Sequence, residues 1–187
     1  MATPNSTTPT PRPRTPSPTL PAPAPLDNFP PLFIKEGTAF HEAPHSTVLR
    51  CARELARAQF RPGAPVLKDP DVLYDFVLLQ LGSREREVFA LVLLDVHDRL
   101  IDYVEIFEGT LDGTPVYPRE IVKCAVSRQA YSVVLVHNHP SGSIAPSMAD
   151  RAVTVRLKAS LALVDVRVKD HLIVGETVMS MKAMGIL

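Results

Sequence analysis

From residue 46 onward the apolar positions alternate between helical and extended spacing. Val48, Leu49, Ala52, Leu55 and Ala56 recur on one face of a helix, with Ser46 or Thr47 as its cap. Arg50, Arg53 and Arg57 form a solvated basic face on the same segment. After the loop at residues 61–65, Asp69-Pro70-Asp71 opens a second helix. Its apolar positions are Val72, Leu73, Phe76, Val77 and Leu79 to Leu81, and Gly82 stops it. Val88 to Leu94 is an unbroken apolar run, the pattern of a central strand buried on both faces. Asp95 to Arg99 is a polar turn, and Leu100 to Phe107 alternates as the second strand of a hairpin. A turn is expected at Asp112-Gly113. A helix is expected from Pro118 to Gln129, with Ile121, Val122, Ala125 and Val126 facing inward. Val133 to Val136 is a second all-apolar strand. A helix from Ser147 to about Leu163 follows, then strand candidates at Val164 to Lys169 and His171 to Val174. Strands and helices that alternate around one hairpin imply an α/β fold, a mixed β-sheet flanked by helices, after a short N-terminal helical segment.

Composition divides the chain further. Residues 1–31 hold most of the 19 prolines, interleaved with Ser, Thr and Ala. Such a segment lacks the amide donors and the large apolar side chains that ordering requires, so a disordered, partly polyproline-II tail is expected. Residues 32–64 read as an exposed connector followed by the N-terminal helix, and residues 65–187 as one domain. The connector contains His41-Glu42-Ala43-Pro44-His45, which spells the zincin signature His-Glu-x-x-His. That chemistry needs both imidazoles one helical turn apart, and Pro44 inside the motif opposes a helix there. Apolar residues make up 45% of the 187, enough for a substantial core, and the formal net charge of zero offers no general basic footprint for nucleic acid. Cys51 and Cys124 lie far apart, outside any Cys-x-x-Cys, and fit reduced, buried thiols in a cytoplasmic protein. No apolar run reaches membrane-spanning length, and the N-terminus has no signal-peptide core.

The chemistry gathers after the second apolar strand. Val133 to Val136 runs into His137-Asn138-His139. Side chains two apart on a strand share a face, so both imidazoles leave together while Asn138 points away. Pro140-Ser141-Gly142 turns the chain, and Ser147 caps the next helix with Asp150 in its first turn. A helix packed back on the strand would bring Asp150 to the two imidazoles. Two nitrogens and one carboxylate leave a tetrahedral zinc one position open to water, the layout of a catalytic rather than a structural site. Each fragment alone has a structural reading, as a capping box or a polar turn. Their combination is what points to a metal.

His137-x-His139-Pro140 followed by Ser147-x-x-Asp150 resembles the JAMM (MPN+) metalloprotease motif. The fuller run from His137 to Gly142, with Pro146-Ser147 and Asp150, resembles the RadC family within that group. The resemblance extends from about residue 65 to the C-terminus. It includes Phe107 to Thr110, Tyr117 to Glu120 and Asp170 to Gly175. It implies the JAMM/MPN, cytidine-deaminase-like layered fold and a metal-dependent hydrolase domain over 65–187. It also implies a peptide or isopeptide substrate on some protein partner. Gly185-Ile186-Leu187 resembles the family's C-terminal end, so the chain is expected to be complete there. Longer relatives carry a helix-hairpin-helix module ahead of the metal domain. Residues 32–82 show no matching Gly-containing hairpin, which weighs against a DNA role carried by that module.

Hydrolysis also needs a base for the water proton. The JAMM pattern has a Glu just ahead of the first central strand, where Glu87 stands; Glu85, which strand alternation would point the same way, is the fallback. In the same pattern the serine matching Ser147 donates to the oxyanion, a role compatible with capping because a hydroxyl both donates and accepts. His171 reads as a core residue or as a partner behind a ligand, His97 as exposed, and Cys124 as packing. The zinc-deaminase pattern of His-x-Glu with Pro-Cys-x-x-Cys does not occur. The reading is therefore a zinc hydrolase with ligands His137, His139 and Asp150, base Glu87 and oxyanion donor Ser147. The alternative is a DNA repair or recombination accessory that uses the domain for binding.

Overall fold

The computed structural model describes residues 31–65, 69–109 and 116–187. The proline-rich segment up to residue 30 and the Asp112-Gly113 turn lie outside the described residues. Among the described residues eleven elements follow in order. They are β1 Phe33–Glu36, β2 Ala39–Glu42, α1 His45–Gln59, α2 Pro70–Leu81, β3 Val88–Leu94, β4 Leu100–Glu108, α3 Pro118–Ser127, β5 Ser132–Asn138, α4 Met148–Ala162, β6 Arg167–Val174 and β7 Val178–Ser180.

Strands β3 to β7 form one sheet in the order β4-β3-β5-β6-β7. The pairs β3–β4, β3–β5 and β6–β7 are antiparallel, whereas β5–β6 is parallel and is bridged by α4. A parallel pair needs such a crossover, and here the crossover helix carries Asp150. Every residue of β3 and β5 is buried, as their unbroken apolar runs predict. Alternation then divides them between two layers. Ala90, Val92, Val134 and Val136 pack under Phe60, Leu73, Phe76, Val77 and Leu81 of the α1–α2 side. Phe89, Leu91, Leu93, Val133 and Leu135 pack under Ile121, Ala125, Leu157 and Leu161 of α3 and α4. The mixed α/β sheet with helices on its faces is the expected architecture.

Several local expectations are corrected. Residues 32–42, read as an exposed connector, contain a hairpin: β1 and β2 pair across Gly37-Thr38, with Gly37 at φ +62°. The sequence signal was a Gly turn between short β-prone runs, overlooked beside the His-Glu-x-x-His letters. His41 lies on β2 and His45 opens α1, so no helix joins them. Pro44, ahead of Ser46 and Thr47, caps α1 without a side-chain bond; its carbonyl accepts from the Thr47 amide at 2.8 Å and the Val48 amide at 3.1 Å. Leu49 and Leu55 of the α1 stripe are exposed, and so is Cys51; Cys124 is buried. On α3, Cys124 takes the inward position and Val126 faces solvent. Gly82 ends α2 at φ −62°, still right-handed, with its amide bonded to the Leu78 carbonyl. The two strand candidates near the C-terminus are one strand, begun after Asp165 turns at φ +58°, and β7 was not foreseen. Among the described residues no helix is long and apolar enough to cross a membrane.

Candidate metal centre

Strand β5 ends the core and begins the site. His137 pairs with Phe89 of β3 on one side and Ile173 of β6 on the other. By alternation it lies with Val133 and Leu135 on the α4 side, and Phe89 stacks beside its ring at 6.1 Å between centroids. The strand stays attached for one more step, since the His139 amide donates to the Val174 carbonyl at 2.8 Å. A tight turn then closes as the Gly142 amide donates back to the His139 carbonyl at 2.9 Å, with Gly142 at φ +79°. That turn rests directly on Gly175, where an added Cβ would lie 2.2 Å from the Gly142 carbonyl oxygen. The close fit holds Ser143 against His139, whose Nδ1 lies 2.9 Å from the Ser143 carbonyl oxygen. A carbonyl only accepts, so Nδ1 carries a hydrogen, and Nε2 is the nitrogen turned to Asp150.

Helix α4 brings the carboxylate. Ser147 and Asp150 form a full capping box: the Asp150 amide donates to Ser147 Oγ at 3.1 Å, and the Ser147 amide donates to Asp150 Oδ2 at 2.7 Å. The Ser147 hydroxyl also donates to Oδ2, at 2.6 Å. Two of these bonds reach the carboxylate, both at Oδ2, and leave Oδ1 freer to serve as a ligand.

His137, His139 and Asp150 converge. The two Nε2 atoms are 3.0 Å apart, His137 Nε2 is 3.1 Å from Asp150 Oδ1, and His139 Nε2 is 3.4 Å from Asp150 Oδ2. Ligands about 2.0–2.1 Å from a tetrahedral zinc stand roughly 3.3 Å from one another. The donor set and its spacing therefore fit a small divalent cation. Side-chain exposure is 7% at His137 and 13% at both His139 and Asp150, so the point is screened yet reachable by water.

The electrostatics agree with this picture. Burial raises the Asp150 carboxyl, but bonds from His137, His139 and Ser147 outweigh it and hold the group well below the usual carboxylate range. His139 is raised, chiefly by its bond to Asp150 and against partial burial; the Ser143 carbonyl and the charges of Asp150 and Glu87 add to the shift. His171 is pushed well down, first by burial and then by its neighbour His137.

Glu87 is half-buried at the approach to β3, and its charge is felt at His139. Glu85 is exposed in a bend rather than on a strand, so the alternation that would aim it like Glu87 does not apply. Asn138 does point away from the cluster, as expected, and has a role that sequence reasoning missed. Its Oδ1 accepts from the Val88 amide at 2.8 Å and its Nδ2 donates to the Arg86 carbonyl at 3.1 Å. Together with the Gly109 amide on the Glu87 carbonyl at 2.7 Å, this clamps the backbone on both sides of Glu87. His171 is fully buried behind His137, its Nε2 2.8 Å from His137 Nδ1. Thr154, also overlooked, touches the far side of His171. The signal was present, since Thr154 is one helical turn beyond Asp150 on the buried face. His97 is a turn residue whose amide donates to Asp95.

Residues 67–186 match the family described as RadC-like JAB domain. A UPF0758 protein of Vibrio cholerae serotype O1 is 49% identical over 138 residues, covering 74% of this chain and 87% of that protein. A UPF0758 protein of Aeromonas hydrophila subsp. hydrophila is 49% identical over 129 residues, 69% of this chain and 57% of that protein. One from Shewanella baltica is 46% identical over 125 residues, 67% of this chain and 55% of that protein. This chain thus spans little more than half the length of the latter two.

Proposed function

The chain belongs to the RadC-like JAB domain family, and on that premise we propose that it is a zinc-dependent hydrolase that cleaves a peptide or isopeptide bond. The observation that carries the reading is the convergence of His137 Nε2, His139 Nε2 and an Asp150 oxygen at the spacing of tetrahedral ligands. Zinc held by these residues would supply Lewis acidity and make water a nucleophile near neutral pH.

In this mechanism the chain's own groups do the rest. Glu87, held by the Asn138 clamp, takes the water proton and returns it to the leaving amine. Ser147 keeps Asp150 in place in the resting state and turns its hydroxyl hydrogen to the oxyanion of the substrate carbonyl. The phenyl ring of Phe89 walls off the apolar side of His137, so charge that develops there is poorly screened. Peptide or isopeptide is the substrate class that the JAMM resemblance implies, and a cytoplasmic setting is proposed from the two unpaired cysteines.

The DNA-accessory reading has less support. Arg50 of the basic face on α1 is paired with Glu54, and Arg53 bonds Ser83. The deciding experiment pairs metal analysis of purified wild type and His139→Ala with a peptide and isopeptide screen of wild type and Glu87→Gln. About one zinc per chain is expected in wild type, with loss in His139→Ala. Glu87→Gln should keep its zinc and lose turnover by roughly 10²–10⁴-fold. An active Glu87→Gln protein sinks the base assignment. Wild type that holds no zinc after loading and dialysis sinks the hydrolase.

A further inference from the structure

Behind the candidate ligands runs a buried chain of polar contacts whose hydrogens can be ordered from the partners alone. Thr154 Oγ1 lies 2.5 Å from the Asp150 carbonyl oxygen and 2.6 Å from His171 Nδ1. A hydroxyl has one hydrogen to give, and a carbonyl oxygen has none. If Thr154 gave its hydrogen to His171, two oxygens would face each other at 2.5 Å with no proton between them. The hydrogen therefore goes to the carbonyl. The remaining near acceptor, Met181 Sδ at 3.7 Å, leads to the same result, because it too cannot donate. Thr154 Oγ1 is then an acceptor toward His171, and His171 Nδ1 must carry a hydrogen.

His171 is 0% exposed, and among the described residues its ring has no polar partners besides Thr154 and His137. A ring so placed is neutral and holds one hydrogen, which Nδ1 has taken. Its Nε2 is thus a bare acceptor, 2.8 Å from His137 Nδ1. His137 Nδ1 must supply that bond, which leaves Nε2, the atom that faces His139 and Asp150, for the metal or, without one, for a proton shared with Asp150.

We propose that Thr154 and His171 are positioning residues: a proton-ordered relay that fixes His137 in its Nδ1–H tautomer and so commits Nε2 to the metal point. The relay deepens the hydrolase reading and rests on it, since it treats His137 as a ligand. Its ends are joined. It begins at the imidazole of one ligand and finishes on the backbone carbonyl of another, Asp150, which ties β5, β6 and α4 into one frame. His139 reaches the same tautomer by a separate route, through the Ser143 carbonyl. Both imidazoles therefore hold a hydrogen at Nδ1 before any ion arrives, and only the His137 side depends on a hydroxyl that a single substitution can remove. Partners of this kind behind a ligand typically matter by about 10–100-fold in metal affinity.

The test begins without metal. Nitrogen-15 NMR of metal-free wild type should show His137 protonated at Nδ1 and His171 protonated at Nδ1. A His137 ring protonated at Nε2 alone overturns the relay, whatever any variant does. Zinc affinity is then measured by competition with a chelator for wild type, Thr154→Val and Thr154→Ser. Valine keeps the shape and removes the hydroxyl. The expected result is zinc binding weakened roughly 10–100-fold and a mixed His137 tautomer, with serine restoring both. Unchanged tautomer and affinity in Thr154→Val, beside a lowered melting temperature, would make Thr154 a packing residue and refute the proposal. If wild type shows the ordered tautomers but takes up no zinc, the hydrolase reading fails and the relay stands, so the two failures are distinguishable.

Discussion

Replacing Gly175 by alanine adds one carbon at the tightest backbone approach near the site. The new Cβ would stand 2.2 Å from the Gly142 carbonyl oxygen, 2.7 Å from its carbon and 2.8 Å from the Ser143 carbonyl oxygen. All three are backbone atoms, so no side chain can swing aside. A carbon and an oxygen need roughly 3.2 Å or more to avoid overlap, which forces the 142–143 backbone to move by about 1 Å. Gly175 does not have a left-handed φ, so the penalty is steric rather than conformational. The segment that must yield carries the Ser143 carbonyl that orients His139. It also accepts from the Glu176 amide, at Gly142 O, at 2.9 Å. Overpacking of this kind costs about 1–3 kcal/mol of stability. A displacement of about 1 Å in a catalytic constellation can cost ~10²-fold in rate. Urea denaturation and zinc competition measure the two effects separately. The expected outcome is a stability loss in that range with zinc binding weakened at least tenfold. A Gly175→Ala protein with wild-type stability and zinc affinity would refute the claim that this contact holds the ligand loop.

Other outcomes follow from the same geometry. Asn138→Leu orphans the buried Val88 amide, so denaturation should show a loss of ~1–3 kcal/mol; zinc content should persist while turnover falls, because the Glu87 segment is released. Ser147→Ala should lose about 1 kcal/mol from the missing cap and, at saturating zinc, ~10²-fold or more in kcat; an unchanged kcat would leave Ser147 only its capping role. Tyr103 is largely buried and its hydroxyl has no partner among the described residues; burial first, then the Glu105 charge, raise its pKa above the usual 10. A raised folded-state pKa means stability that is intact below pH 10 and declines as pH climbs toward the folded value. Tyr103→Phe should flatten that alkaline decline in a pH series of melting temperatures and cost little at pH 7.

The sheet and the convergence of His137, His139 and Asp150 were legible because each depends on a short, local pattern. The unbroken runs at 88–94 and 133–136 admit one burial, and His-x-His on a strand end admits one direction for both rings. What escaped depended on contacts distant in sequence. Asn138 looked idle because its partners, Val88 and Arg86, are some fifty residues away. Thr154 was not singled out, because only the fold sets His171 of β6 against it. Hairpin β1–β2 was hidden by a motif whose letters matched and whose geometry did not. Glu85 was aimed by an alternation that starts only at Val88.

The position of β5 has a further consequence for how the molecule opens. It is hydrogen-bonded to β3 on one side and to β6 on the other, and all of its residues are buried. Edge strands and helix ends can fray without disturbing it. Its amides should therefore exchange with solvent only when the whole domain unfolds. A ligand that binds only the native state adds its binding energy to that opening, ~2.7 kcal/mol at a hundredfold excess over Kd. Zinc at that excess should then slow exchange along β5 by about a hundredfold and leave the amides of the β1–β2 hairpin unchanged. The strand that presents His137 would thus report metal binding from the inside, through its own backbone, in the absence of any substrate.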